Sequence, residues 1–212
     1  MVRDDRPVVL VSTAALWNHT ELIRLLMERK SDWHIVVSQH QCDHVEMYQR
    51  FVDEGVTVLI PESCDYDDPN IDHGYNPTIE DSLDFARQLY HADVVVNMAG
   101  TASLEAMILG TPAVNVRSPG EHANEKEAKK SMAHFGPGCH YADVLPGETT
   151  FLAENFQDVP SKIELALQGM DDTRKEKIEL MLDDVLSTQS MNATREFTGA
   201  AEKVAAMVES VL

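Results

Sequence analysis

The sequence has few cysteines, few basic residues and no long apolar run, and each shortage narrows the kind of protein that it encodes. Its three cysteines, Cys42, Cys64 and Cys139, are widely spaced and form no Cys-x-x-Cys pair. An odd number of scattered cysteines does not make a disulfide framework, so we interpret them as reduced thiols. No stretch of about 18 apolar residues occurs, so we expect no membrane-spanning helix.

Basic residues are outnumbered by acidic ones, at 17 Lys and Arg against 36 Asp and Glu, and the net charge is −19. A field of this sign repels phosphate backbones, so we expect no nucleic acid partner. A small anionic ligand remains compatible with it, because backbone N–H groups bind phosphate whatever the total charge. Asp4 and Asp5 lie where a signal peptide carries no acids, which favours a cytoplasmic protein.

The order of apolar patterns predicts a single domain, residues 1–212, with strands and helices in alternation. The predicted strands are residues 7–12, 33–38, 56–60, 92–97 and 111–116. The predicted helices are residues 19–30, about 44–54, 79–91, 102–109, 161–167, 173–186 and 194–212, the last three packing on the rest. This alternation is typical of an α/β fold with a Rossmann-like, doubly wound parallel sheet.

Residues 92–116 carry the strongest chemical pattern, because a valine-rich strand passes through a small turn directly into a helix. Gly100 lacks a Cβ, so a diphosphate can approach its backbone closely. The N–H groups of Thr101, Ala102 and Ser103 then begin the helix and attract negative charge, with two hydroxyls beside them. Such a turn is also common as a mere helix cap, so the pattern alone leaves both interpretations open.

This segment resembles the nucleotide-sugar donor domain of GT-B glycosyltransferases, notably the lipid-linked N-acetylglucosamine transferases of peptidoglycan synthesis and related UDP-sugar transferases and epimerases. The resemblance rests on the Gly/Ser/Thr turn that follows Asn97, on Glu105 early in the helix and on the Gly-x-Pro step at Gly110. It implies that Gly100, Thr101 and Ser103 contact the diphosphate, and Asn97 and Ala102 of the same turn are further candidate contacts of the nucleotide sugar. It also implies that Glu105 accepts hydrogen bonds from the ribose hydroxyls.

Weaker matches follow in the same order along the chain and add further candidate contacts. The resemblance places Gln39 near the nucleotide, after the second strand, and Thr78 and Ile79 at the base-contacting loop. The first loop lacks the glycine run that many of these transferases carry, and Ser12 and Thr13 are its candidates. The donor sugar would be contacted by a polar stretch that contains Glu121, His122 and Asn124.

His40 and His44 would share one face of a helix, with Asp43 between them, but the pattern lacks a third metal ligand. We therefore favour surface histidines over a metal site, and GT-B transferases generally need no bound metal or other cofactor. No residue is identified as catalytic.

The leading hypothesis is the donor domain of a glycosyltransferase that binds a nucleoside diphosphate sugar, by resemblance a UDP-sugar, as substrate. The N-terminal acceptor domain is absent from this sequence, so we expect it either on a partner subunit or on a longer protein from which this sequence is cut, and a homo-oligomer is a further possible assembly. A non-catalytic nucleotide-binding or scaffold module is the alternative, since fold does not fix function. A fragment of a UDP-sugar 2-epimerase is a third possibility.

Overall fold

The computed structural model describes residues 5–13, 19–40, 43, 46–61, 78–98, 100–118 and 149–192, with side chains up to residue 182. The strands in this part are β1 (Val8–Ser12), β2 (His34–Ser38), β3 (Thr57–Leu59), β4 (Val94–Asn97), β5 (Ala113–Val116) and β6 (Phe151–Ala153). The α-helices are α1 (Thr20–Met27), α2 (Glu46–Gln49), α3 (Ile79–His91), α4 (Ala102–Ile108), α5 (Val159–Leu167) and α6 (Asp172–Asn192).

All six strands are parallel and lie in the order β3-β2-β1-β4-β5-β6. The chain therefore adds β2 and β3 on one side of β1, and then returns to add β4, β5 and β6 on the other side. This confirms the predicted Rossmann-like, doubly wound α/β fold. In sheets of this kind ligands bind beyond the carboxyl ends of the strands, where the order reverses, which here is the β1/β4 boundary.

The sheet is covered on both faces because successive residues of its strands point to opposite sides. Val9 and Val11 of β1 belong to the larger core, which packs against α1 and α5. Leu10, between them, belongs to a smaller core that contains Leu89 of α3 and Ala106 of α4. The uninterrupted valines of β4 follow from this double burial.

Local signals in the sequence set the ends of several helices. Thr78 and Asp81 form a capping box at the start of α3, in which each side chain accepts a hydrogen bond from the backbone N–H of the other residue. Gly55 and Gly110 have φ values of +95° and +78°, which residues with a Cβ rarely adopt. They end the turn after α2 and the turn after α4, as the sequence predicts.

The sequence did not reveal β6, which has three residues and pairs with β5 at the edge of the sheet. So short a strand leaves too few positions for an alternating pattern. The predicted helix at residues 194–212 lies outside the described residues. Among the described helices, none is both long and apolar enough to span a bilayer.

Candidate active site

A cavity of about 430 Å³ opens at the carboxyl edge of the sheet, between α3 and α4. We call it the slot. Its walls come from the ends of β1 and β2, from the residues after β3, and from one side of each helix. Four of the predicted site residues line it: Ser12, Thr13, Gln39 and Glu105. The slot therefore lies at the edge of the sheet where this fold binds ligands.

The charged groups of the slot are mostly acidic. Asp81, Asp84 and Glu105 line it, and among the described lining residues there is no lysine or arginine. Asp81 is occupied by the capping box, and Asp84 is paired with the guanidinium of Arg87. Two of the three carboxylates are thus already engaged by the protein itself.

Glu105 differs from the other two carboxylates because its side chain has no hydrogen bond to a described residue. Its backbone N–H donates to the carbonyl of Thr101 at 3.0 Å, as in a regular first turn of a helix. Burial raises the pKa of the Glu105 carboxyl above its ordinary value. The side chain is half-buried in the wall of the slot, so its carboxylate can accept hydrogen bonds from a ligand there.

The turn after β4 is held by the side chain of Asn97, which is 1% exposed. Its Nδ2 donates to the carbonyl of Ser12 at 3.2 Å, and its Oδ1 accepts from the N–H of Gly100 at 2.5 Å. A Cβ at position 100 would lie 2.7 Å from Asn97 Oδ1, so the absence of a side chain admits Asn97 rather than a phosphate. The N–H of Gly100 is thus bonded within the chain, and a contact of Gly100 with a diphosphate stays a prediction.

The side chain of Ser103 also belongs to this turn, and its contact with a diphosphate stays a prediction. The residue is fully buried, and its hydroxyl lies 3.4 Å from Asn97 Oδ1. Its N–H donates to the carbonyl of Gly100 at 3.3 Å. The side chain of Thr101 is exposed and makes no capping bond, and Ala102 is buried. A ligand contact at these two positions stays a prediction.

Thr13 and Gln39 meet in a buried polar cluster around Asp43, at the ends of β1 and β2. The hydroxyl of Thr13 donates to Asp43 Oδ2 at 2.5 Å and accepts from the N–H of His40 at 2.7 Å. Gln39 Nε2 donates to the carbonyl of Asp43 at 3.0 Å. Since a hydroxyl has one proton, the Thr13 hydroxyl has no donor left for a ligand in this arrangement, and its contact with a ligand stays a prediction.

Tyr48 and His19 complete the cluster and were not identified from the sequence. Both are fully buried, and the Tyr48 hydroxyl lies 3.5 Å from His19 Nδ1. Burial raises the pKa of Tyr48, and the neighbouring carboxylate of Asp43 raises it further. Burial also raises the pKa of Asp43, against the opposing effect of its hydrogen bond from Thr13. Nothing in the local sequence around these residues signals their meeting, because the chain brings them together from three separate elements.

The predicted base-contacting residues, Thr78 and Ile79, do not line the slot. The Thr78 hydroxyl donates to Asp81 Oδ2 at 2.6 Å and accepts from the N–H of Asp81 at 3.1 Å, so it is used as a helix cap. Ile79 is 79% exposed. A contact of these two residues with a nucleobase stays a prediction. The predicted sugar contacts Glu121, His122 and Asn124 lie outside the described residues.

The histidine pair considered for a metal is only half within the described part of the chain, because His44 lies outside it. His40 lines the slot, and burial lowers its pKa despite the nearby Asp43. In the described residues no group of three His, Cys, Asp or Glu side chains is placed to hold a metal ion.

Comparison with known proteins was made at the level of sequence and of structure. No protein-family profile and no curated protein sequence matches the chain. Two similar solved structures are a putative UDP-N-acetylglucosamine 2-epimerase from Listeria monocytogenes, at 14% identity, and the glycosyltransferase SnogD from Streptomyces nogalater, at 13%. Each match has a TM-score of 0.42 and covers 97% of this chain but 45% of the other. The chain spans less than half of the length of either protein.

Proposed function

We propose that this domain binds a nucleoside diphosphate sugar, with the nucleoside in the slot and Glu105 as the acceptor for the ribose hydroxyls. The observation that carries the proposal is the position of Glu105, a half-buried carboxyl without a side-chain partner among the described residues, in a cavity at the ligand-binding edge of the sheet. Two neighbouring hydroxyls of a ribose supply the donors that this carboxylate lacks.

In this arrangement the diphosphate does not lie on the backbone of Gly100, where the sequence suggests it. An acidic slot repels phosphate, so the diphosphate lies outside it, at the mouth. Glu105 is one helical turn from Thr101, which keeps the ribose and the exposed start of α4 within reach of one ligand. Asn97 occupies the N–H of Gly100, so that donor contributes only where Asn97 moves away.

In the transfer reaction an acceptor hydroxyl attacks the anomeric carbon of the sugar, and the nucleoside diphosphate leaves with the electron pair of the broken bond. We assign to this domain the task of holding that leaving group. Activation of the acceptor hydroxyl then belongs to an acceptor domain, on a longer form of this chain or on a separate subunit.

Calorimetric titration of the chain with UDP, CDP, ADP and GDP, and with their 2′-deoxy forms, tests the proposal. We expect a ribonucleoside diphosphate to bind and the 2′-deoxy form to bind more weakly. Glu105→Ala should remove that preference for ribose, since the missing carboxylate is the group that senses it. Glu176→Ala, an exposed carboxylate on α6 away from the slot, is the matched control and should change nothing.

A non-catalytic scaffold is the second candidate, and the hydrogen bond from Gly100 to Asn97 is the observation that favours it. A turn whose N–H is satisfied by its own chain needs no ligand. On this hypothesis neither the wild-type chain nor Asn97→Ala, which frees that N–H, binds any nucleoside diphosphate. If neither protein binds a nucleoside diphosphate, the scaffold hypothesis is supported over the donor-binding one.

A further inference from the structure

The slot extends from the carboxyl edge of the sheet along α3 and α4. Both α3 and α4 connect parallel strands, so each begins at the carboxyl edge and ends near the amino edge. Asp81 therefore lies at the mouth and Gln88 lies deeper, separated by about 10 Å along the helix axis. On α4, in the same sense, Glu105 precedes Ile108 and Leu109.

One stripe of α3 faces the slot, because Asp81, Asp84, Phe85 and Gln88 are spaced by three and four residues. Phe85 lines the slot and also packs against the smaller core, which holds its ring in place. An aromatic ring in a cavity offers a surface on which any nucleobase can stack.

Gln88 adds a polar group at depth. Its Oε1 is buried and has no hydrogen-bond partner among the described residues, and the slot is also lined by the apolar side chains of Leu89, Ile108 and Leu109. A buried amide oxygen without a partner costs free energy, so a ligand that donates a hydrogen bond to it binds more tightly. A glutamine amide carries both an acceptor and donors, and the edge of a nucleobase carries donors and acceptors that can pair with them.

We propose that Phe85 and Gln88 form a nucleobase subsite, in which the base stacks on Phe85 and Gln88 reads its hydrogen-bonding edge. The proposal rests on the proposed function, since it needs the ribose at Glu105 to direct the base inward. It moves base recognition from the loop at Thr78 and Ile79, where the sequence suggests it, to the third turn of α3. Gln88 is thus the residue that determines which base is accepted.

The charge of the slot supports this assignment of the base over the phosphates. Its described lining includes three carboxylates and no lysine or arginine, and burial lowers the pKa of His40, its one imidazole. An uncharged base with N–H donors suits such a lining, and a diphosphate does not. The base is accordingly the innermost part of the ligand.

Titration of the full chain with UDP, CDP, ADP and GDP, and with the bare nucleosides, tests the subsite. We expect wild-type affinities to differ by about tenfold or more between the best and worst base, the value of one buried hydrogen bond to a fixed partner. Gln88→Leu should bring the four affinities within about threefold of one another. Phe85→Leu should weaken all four by about tenfold, through lost stacking, without changing their order.

The controls separate a local effect from a general one. Gln168→Leu makes the same change at an exposed position at the end of α5 and should leave all affinities unchanged. The preference for ribose over 2′-deoxyribose should survive in Gln88→Leu and vanish in Glu105→Ala. Thermal unfolding of each variant shows that the folded state is the one titrated.

Two outcomes overturn the subsite in different ways. If nucleoside diphosphates bind and depend on Glu105, but Gln88→Leu keeps the wild-type order of bases, the proposed function stands and the subsite is wrong. If no nucleotide or nucleoside binds the wild-type chain, both proposals fall together.

Discussion

The turn after β4 and the slot between α3 and α4 lie at the same edge of the sheet but differ in how their polar groups are satisfied. In the turn, Asn97 binds the carbonyl of Ser12 and the N–H of Gly100. In the slot, Glu105 and the amide oxygen of Gln88 have no such partners among the described residues. Polar groups satisfied by their own chain stabilise the fold, whereas buried ones that lack partners point to a ligand.

The largest effect should come from breaking the turn. Asn97→Ala removes the partner of three groups, namely the carbonyl of Ser12, the N–H of Gly100 and the hydroxyl of Ser103. We expect the free energy of unfolding to fall by about 2–3 kcal/mol, since buried groups are left unsatisfied. Urea unfolding measures it, and a loss below about 0.5 kcal/mol would show that the turn is not held in this way.

Gly100→Ala perturbs the same turn at the residue that contacts Asn97. The added Cβ would lie 2.7 Å from Asn97 Oδ1 and 2.8 Å from Nδ2, so Asn97 must shift. We expect a loss of about 1–2 kcal/mol in urea unfolding. In the double variant with Asn97→Ala the clash is gone. The loss of unfolding free energy in the double variant should therefore be smaller than the sum of the losses in the two single variants. Additive losses would contradict the contact.

The slot should respond in the opposite sense. Gln88→Leu replaces a buried oxygen that lacks a partner by apolar atoms of similar volume, beside Phe85 and Leu89. We expect the free energy of unfolding to stay the same or to rise by up to about 1 kcal/mol without ligand. A clear destabilisation would mean that Gln88 is part of the structural framework, as Asn97 is.

The smallest effect concerns the pH dependence of Glu105. Burial raises its folded pKa above the ordinary 4.5, so the folded state holds the proton more tightly than the unfolded chain does. Its contribution to stability is therefore complete below about pH 4.5 and is lost as the pH rises through the folded pKa. The difference in unfolding free energy between wild type and Glu105→Gln should fall over that range, and a constant difference would contradict the burial.

Sequence reasoning succeeded where the signal is local or periodic. The valines of β4 and the stop at Gly110 each have a physical preference that acts within a few residues. It failed for β6, and it identified neither Thr78 and Asp81 as a helix cap nor the N–H of Gly100 as a donor that the chain itself uses. The partner that closes that donor is a side chain whose orientation depends on β1, which is far away in sequence.

The amino-acid order by itself determined the alternation of strands and helices, the parallel sheet and the edge at which a ligand would bind, because hydrophobic periodicity and crossover handedness leave few choices. Only the tertiary structure decided which polar groups at that edge are already used. Asn97, Asp43 and Thr13 find partners on other elements, while Glu105 and the amide oxygen of Gln88 do not among the described residues, and no local pattern distinguishes the two cases. Hydrogen bonds between distant segments form only when the sheet brings them together, and for that reason the site had to be located in three dimensions.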